Sequence, residues 1–282
     1  KNIDKKHIIT FTTEHRAVLD VCKSLENNRF KVSYIPVKND GLINLEQLIS
    51  SITKDTLLIS VLHANNEIGV IQPIEEISNI CKENEILLHV DAAQSAGKIP
   101  INVENVNIDF LSLSSHKMYG PKGCGALYIS KKGFQKKLTA ILHGGGHEYN
   151  LRSGTLAVPN IVGLGSACEL SDKYMSIESI RLKKLRDKLL LGLQKKNDLV
   201  INGSMEHRLP GNLNICLSKA GNDSIIMKLK NIALSNGSAC TSSKIQPSHV
   251  LSAIGRKKQE AQNAIRFGIG RFNTESDIDE TI

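Results

Sequence analysis

Tryptophan is absent from the 282 residues, and a 40% hydrophobic, 23% charged composition is otherwise that of an ordinary folded chain. No apolar run approaches the roughly 18 residues that a membrane span needs, and no signal-peptide pattern is present. The six cysteines, at 22, 81, 124, 168, 216 and 240, include no C-x-x-C pair. Scattered in this way they read as reduced thiols in a cytosol-like compartment, not as a disulfide framework. Acidic residues are the scarcer sign, 28 against 36 basic ones, for a net charge of +8. The basic residues are dispersed, and the densest cluster, RLKKLRDKLLLGLQKK from Arg181, reads as one solvated helix face. Direct nucleic-acid binding is therefore not expected. Repeats and low-complexity tracts are also missing. HGGGH, His143 to His147, has the look of a metal spacing. However, three glycines between the histidines forbid the i, i+4 helical geometry of a zinc helix.

The length suits a full core and two lobes. The first half alternates strand-like segments (HIITFTT, KVSYIPV, LLISVLHA, ILLHVDAA, IDFLSLSS, GALYISK) with amphipathic ones such as HRAVLDVCKSLENN, NLEQLISSI and PIEEISNICKENE. Continuous apolar strands between helices predict an α/β fold, a mainly parallel sheet sandwiched by helices. Near residue 172 the pattern changes. A charged helix is expected over about Ser176 to Lys196, then shorter mixed elements: LVINGS, NLNICLS, a helix near Asp223 to Lys230, and IRFGIGR. Residues 1–172 and 173–282 are expected to form a large domain and a smaller α+β domain. The chain opens on Lys1 with Ile3 to Thr10 already reading as an element in mid-fold, and stops at Ile282 inside the helix-like TESDIDETI. An excised or incomplete piece is the expectation, short of both family ends.

One stretch behaves unlike a core. SNGSACTSS, residues 235 to 243, places Cys240 among Gly, Ser, Thr and Ala with no apolar partners. Buried cysteine is the common case, but such neighbours make a surface loop. A thiol there is a nucleophile, a redox group or a ligand.

Ligands of α/β sheets bind beyond the carboxyl ends of the strands, and these ends are chemically loaded. TTEHR brings His15, HANNEIG brings Asn65, Asn66 and Glu67, HVDAAQS brings Asp91 and Gln94, and SLSSHKMYGPKG brings Ser114, Ser115, His116 and Lys117. A lysine at a strand end can form a Schiff base with an aldehyde. An aspartate on the neighbouring strand can hold a proton on the pyridine nitrogen of pyridoxal phosphate, and Gln94 can donate to its phenolic oxygen. Ser114 and His116 suit a phosphate. Plainer readings stand beside these. Asp91 could cap a helix at AAQSAG, Lys117 could face water, His15 could cap its helix, and Asn66 could serve a turn.

The motifs HxNNEIG, HVDAAQS, SSHKMYGPKGCGALY, HGGGHE, RSGTLAVPNIVG, SNGSACTS and IRFGIGRF, in this order and spacing, resemble those of IscS/NifS-type cysteine desulfurases. These are class-V enzymes of the pyridoxal-phosphate-dependent transferase fold, aspartate aminotransferase type I. The resemblance runs from Lys1 to Ile282. It implies Lys117 as the Schiff-base lysine, Asp91 as partner of the pyridine nitrogen, and His15 stacked on the ring and moving protons. It further implies Gln94 and Asn66 on the ring oxygen and substrate, and Ser114 and His116 on the phosphate. Thr155 would reach the phosphate of a partner subunit, hence a homodimer. Arg266 would clamp the substrate carboxylate, and Cys240 would accept the sulfur.

A cysteine on a mobile Gly/Ser arm can take sulfur from L-cysteine, leave L-alanine, and carry the persulfide away. The acceptors implied are an iron-sulfur scaffold protein, where Cys240 would serve as a transient cluster ligand, and carriers for tRNA thiolation. The setting implied is cytoplasmic, or a mitochondrial matrix in a eukaryote. No resident metal and no membrane are expected. Since free cysteine titrates near ~8.5, a proton acceptor such as His15 is expected to help Cys240. Ser115 stands where many relatives have glycine, and Ala64 where they have a larger aliphatic residue. The rivals are a selenocysteine lyase-like or other class-V enzyme, and a truncated homologue that binds scaffolds without chemistry.

Overall fold

The structure is a computed structural model that describes residues 5–135, 138–217, 231–235 and 248–282. Strands β1 (His7–Phe11), β2 (Lys31–Ile35), β3 (Thr56–Leu62), β4 (Leu87–Asp91), β5 (Phe110–Ser114) and β6 (Gly125–Ile129) form one sheet in the order β2-β1-β3-β4-β5-β6. The first five pair in parallel, and only β6 runs antiparallel, against β5. This is the mainly parallel sheet the apolar runs predict. Helices α1 (Arg16–Asn27), α2 (Leu45–Ser51) and α3 (Ile74–Glu83) make the crossovers between the first four strands, and a short α4 (Lys131–Gln135) follows β6.

Local chemistry sets the helix starts. Asn44 caps α2 by accepting from the Glu46 and Gln47 amides at 3.0 and 3.3 Å. His15 caps α1, its Nδ1 accepting from the Ala17 amide at 3.2 Å, so the capping reading of this residue is realised.

The sheet core is built from alternate strand residues: Ile9 and Phe11, Ile59 and Val61, Leu88 and Val90. Leu48 and Ile77 of the covering helices close on it. Burial of such side chains is worth about 1.5–3 kcal/mol each.

Helix α5 (Val158–Lys196) is 39 residues long and starts well before the expected Ser176. Pro159 in its first turn fits a helix start, whereas Gly163 and Gly165 weaken the helical pattern of that stretch. The helix serves two cores. Leu164 and Ala167 pack on the large sheet, while Leu185, Leu189 and Leu193 pack on a second, antiparallel sheet. That sheet is β7 (Leu199–Ile201), β8 (Asn212–Leu217) and β9 (Ala264–Gly268), in the order β7-β8-β9. Helix α8 (Glu275–Thr281) packs Ile278 on that sheet's core, whereas α6 (His249–Ala253) and α7 (Lys258–Gln262) pack Val250, Leu251 and Ala261 on the large core. Helix α8 opens on a Thr274/Asp277 capping box within TESDIDETI, which reads as a helix in the sequence. The helix expected near 223–230 and the Cys240 loop lie outside the described residues.

One joint fixes the second sheet to the first. The Glu67 carbonyl, in the loop after β3, accepts from the side-chain amides of Asn214 (3.1 Å) and Asn212 (3.3 Å) on β8. The Glu67 carboxylate accepts from Ser248 Oγ at 2.5 Å. Asn214 stands directly opposite Arg266 in the β8–β9 register.

Candidate active site

In the large sheet β1 lies between β2 and β3, so the strand order reverses there. The carboxyl ends beside such a reversal are where α/β sheets bind ligands. At these ends lies a cavity of about 350 Å³, within the roughly 300–1,000 Å³ of small-molecule sites. Asn66, Gln94, His116, Lys117 and Arg266 line it, together with Lys98. Five of the residues named from the sequence are thus brought together, although they span 200 positions in the chain.

Each is held by its own element. Asn66 follows β3, and its carbonyl accepts from Arg266 Nη1 at 3.0 Å. That bond ties the second sheet to the cavity wall and leaves further guanidinium donors for a carboxylate. Lys117 ends a single 3₁₀ turn, Ser115–Lys117, directly after β5. Its side chain is exposed at the cavity rim, not enclosed by apolar strand residues. Ser114 Oγ and His116 Nδ1 are hydrogen-bonded at 2.9 Å, so hydroxyl and imidazole act as a pair.

Asp91 ends β4, is buried three residues before the cavity-lining Gln94, and accepts from the Ala93 amide at 2.9 Å. The segment it caps is a succession of turns over 93–98, not the helix considered for AAQSAG. Gly97, at φ +73°, takes a left-handed conformation there, which interrupts helical geometry. The remaining residues lie elsewhere. His15 is exposed at the start of α1, and Thr155 is exposed shortly before α5. Cys240 lies outside the described residues. The HGGGH loop places all three glycines at positive φ, and His147 Nδ1 accepts from the Gly154 amide at 3.3 Å. No cluster of His, Cys, Asp or Glu that could hold a metal occurs among the described residues.

Sequence reasoning missed Glu14 and Lys98 beside the site, and singled out Glu67 only as a polar residue at a strand end. Glu14 is buried, and burial pushes its carboxyl well above the ordinary carboxylate range, the nearby Asp91 adding to the effect. Its Oε1 accepts from the Leu62 amide at 2.7 Å, and Leu62 is the β3 partner of Asp91. Glu67 is buried in the joint described above. Lys98 lines the cavity, and burial, with Lys117 nearby, lowers its amine to about 8. Their signals in the sequence are weak, because an isolated Glu or Lys reads as a surface residue. Ser115 is fully buried, with no partner for its hydroxyl among the described residues. A Cβ on Gly120 would collide with that hydroxyl.

The family description aminotransferase class-V matches residues 3–281. The chain belongs to the class-V aminotransferase family. Among class-V relatives it is 52% identical over 277 residues to the cysteine desulfurase IscS of Pasteurella multocida, covering 98% of this chain and 68% of that protein. A solved NifS-like protein superposes with a TM-score of 0.89 at 38% identity, over 98% of this chain and 73% of its own. A structure described as SspA in complex with cysteine gives a TM-score of 0.81 at 38% identity, over 94% of this chain and 74% of its own. The fold is therefore that of the pyridoxal-phosphate-dependent NifS-like enzymes.

The residues present fit that cofactor. A buried carboxylate, Asp91, ends the strand that leads into the lining Gln94 of a cavity of suitable size. A lysine amine opens on it, and a serine–histidine pair precedes that lysine. No helix among the described residues is long and apolar enough to cross a membrane.

Proposed function

We propose that this class-V enzyme is a cysteine desulfurase that takes sulfur from L-cysteine, leaves L-alanine, and carries the sulfur as a persulfide on Cys240. The observation that carries the reading is the convergence of Lys117, Gln94, Asn66 and Arg266 on one cavity at the strand ends, in a chain 52% identical to an IscS desulfurase. Pyridoxal phosphate, when bound, supplies an electron sink that makes bonds around the α- and β-carbons of an amino acid breakable.

The chain's own residues do the rest. Lys117 would hold the cofactor aldehyde and afterwards move the α-proton of the substrate. Asp91 would keep a proton on the pyridine nitrogen and Gln94 would donate to the ring oxygen, while His15, which caps α1 outside the cavity lining, would have to turn its free ring face to the cofactor. Ser114 and His116 would hold the phosphate, with Thr155 contributing from a second subunit of a homodimer. Arg266 and Asn66 orient the substrate, the guanidinium gripping its carboxylate. Cys240 Sγ attacks the substrate sulfur. The carbon–sulfur electron pair stays with the β-carbon, which takes up a proton and becomes the alanine methyl. The sulfur leaves on Cys240 for an iron-sulfur scaffold protein or a tRNA-thiolation carrier in the cytoplasm.

Two sheets, one around the strand-end cavity and one carrying Arg266, support a division into a cofactor lobe over 1–172 and a smaller lobe over 173–282. Helix α5 would then run through the boundary.

The holoenzyme, given L-cysteine and a thiol reductant, is expected to release alanine and sulfide in equal amounts, and Lys117→Ala to release neither. Release by Lys117→Ala at the wild-type rate would overturn the reading.

A further inference from the structure

The ammonium of Lys98 donates to Gln94 Oε1 at 2.8 Å, and both side chains line the active-site cavity. This contact decides a question of chemistry. A glutamine amide has an accepting end and a donating end, and nothing in its shape chooses between them. A lysine ammonium has three donors and no acceptor. While Lys98 carries its proton, Gln94 must turn its carbonyl oxygen to Lys98, which leaves its NH₂ for the rest of the cavity. Only that end can serve an anionic ring oxygen, since the carbonyl would repel it.

The backbone reinforces this arrangement. Gly97, at φ +73°, brings the turn so close to α5 that a Cβ there would press on Ser171 and Met118. Ser179 Oγ of α5 donates to the Lys98 carbonyl at 3.0 Å. Lys98 makes no ion pair among the described residues, and the lining Glu178 carboxylate is committed to Arg271. Its hydrogen bond to Gln94 is thus the polar contact that defines its place.

We infer that Lys98 is a positioning residue: it fixes the amide of Gln94 with its NH₂ toward the phenolic oxygen of bound pyridoxal phosphate. This rests on the cofactor reading above. The charged and titratable groups around the same cavity are Lys98 itself, Lys117, His116 and Tyr119 after β5, Glu178 of α5 and Arg266 of β9, with Asp91 three residues before the lining Gln94.

The test is the pH titration of the visible absorption of the bound cofactor in the holoenzyme. An amide donor stabilises the deprotonated ring oxygen, so losing it raises the titration midpoint. Lys98→Met is expected to raise the midpoint by about one pH unit, the scale of one hydrogen bond to a charged group. Lys98→Arg, which also only donates, is expected to keep it. In a Gln94→Ala background, Lys98→Met is expected to add no further shift. If the methionine variant fails to fold, Lys98→Gln replaces it. That side chain can donate or accept, so its midpoint should fall between those of wild type and Gln94→Ala.

An unchanged midpoint in Lys98→Met, or a double variant whose shift is the sum of the two singles, overturns the inference alone. A wild-type protein that takes up no cofactor overturns the cofactor reading, and the inference with it.

Discussion

Asn214→Ala probes the joint that carries Arg266 to the cavity. Asn214 is fully buried. Its Nδ2 donates to the Glu67 carbonyl at 3.1 Å, and its Oδ1 accepts from Asn202 Nδ2 at 2.7 Å. Truncation removes both bonds, each worth about 1 kcal/mol net, and strands one N–H of the fully buried Asn202. The second Asn202 N–H keeps its contact with Cys216 Sγ at 3.1 Å, and the Glu67 carbonyl keeps Asn212 at 3.3 Å, so the loss is partial. The expected destabilisation is about 2–4 kcal/mol, or a drop in Tm of about 5 °C for a chain of this size. In urea the midpoint should fall while the slope stays unchanged. Because Asn214 pairs with Arg266 in the β8–β9 register, KM for L-cysteine should rise more than kcat falls. A destabilisation below about 0.5 kcal/mol, the ordinary range for inconsequential sites, would refute this account of the joint.

Two other substitutions test separate parts of the structure. His63 is buried, and burial lowers its imidazole from the ordinary 6.5 to about 4. The folded ring stays neutral where the unfolded one takes a proton. Stability is therefore complete above about pH 6.5 and falls as pH drops toward 4, by about 3 kcal/mol. His63→Gln should remove that slope in chemical denaturation at pH 4.5 against pH 7, and an unchanged slope contradicts the assignment. Arg271 grips Glu178 with two nitrogens and stacks over the Tyr119 ring at 4.7 Å. Arg271→Lys loses the planar fork and should cost about 1–2 kcal/mol in urea unfolding, whereas a neutral result would make the pair a surface ornament.

The sheet was readable because its strands are uninterrupted apolar runs bounded by helices with regular apolar spacing. Their carboxyl ends were readable as a site because Asp, Gln, His and Lys are out of place there. The start of α5 was obscured by Gly163 and Gly165, whose low helix propensity is overridden by packing of Leu164 and Ala167 on the large core. The turns after Asp91 read as a helix because Ala and Gln favour one. Gly97 and the close approach of α5 decide otherwise. Lys98 and Glu14 left little signal, and Glu67 showed only as a polar strand-end residue, since what sets them apart is burial among residues distant in the chain.

The central claim is that sulfur passes from L-cysteine to Cys240. The most direct measurement is mass spectrometry of the Cys240-bearing peptide after the holoenzyme meets L-cysteine without reductant. The account predicts one added sulfur on that peptide, lost on reduction, with one alanine formed per sulfur gained. An unmodified Cys240 peptide alongside continuing alanine release would contradict it.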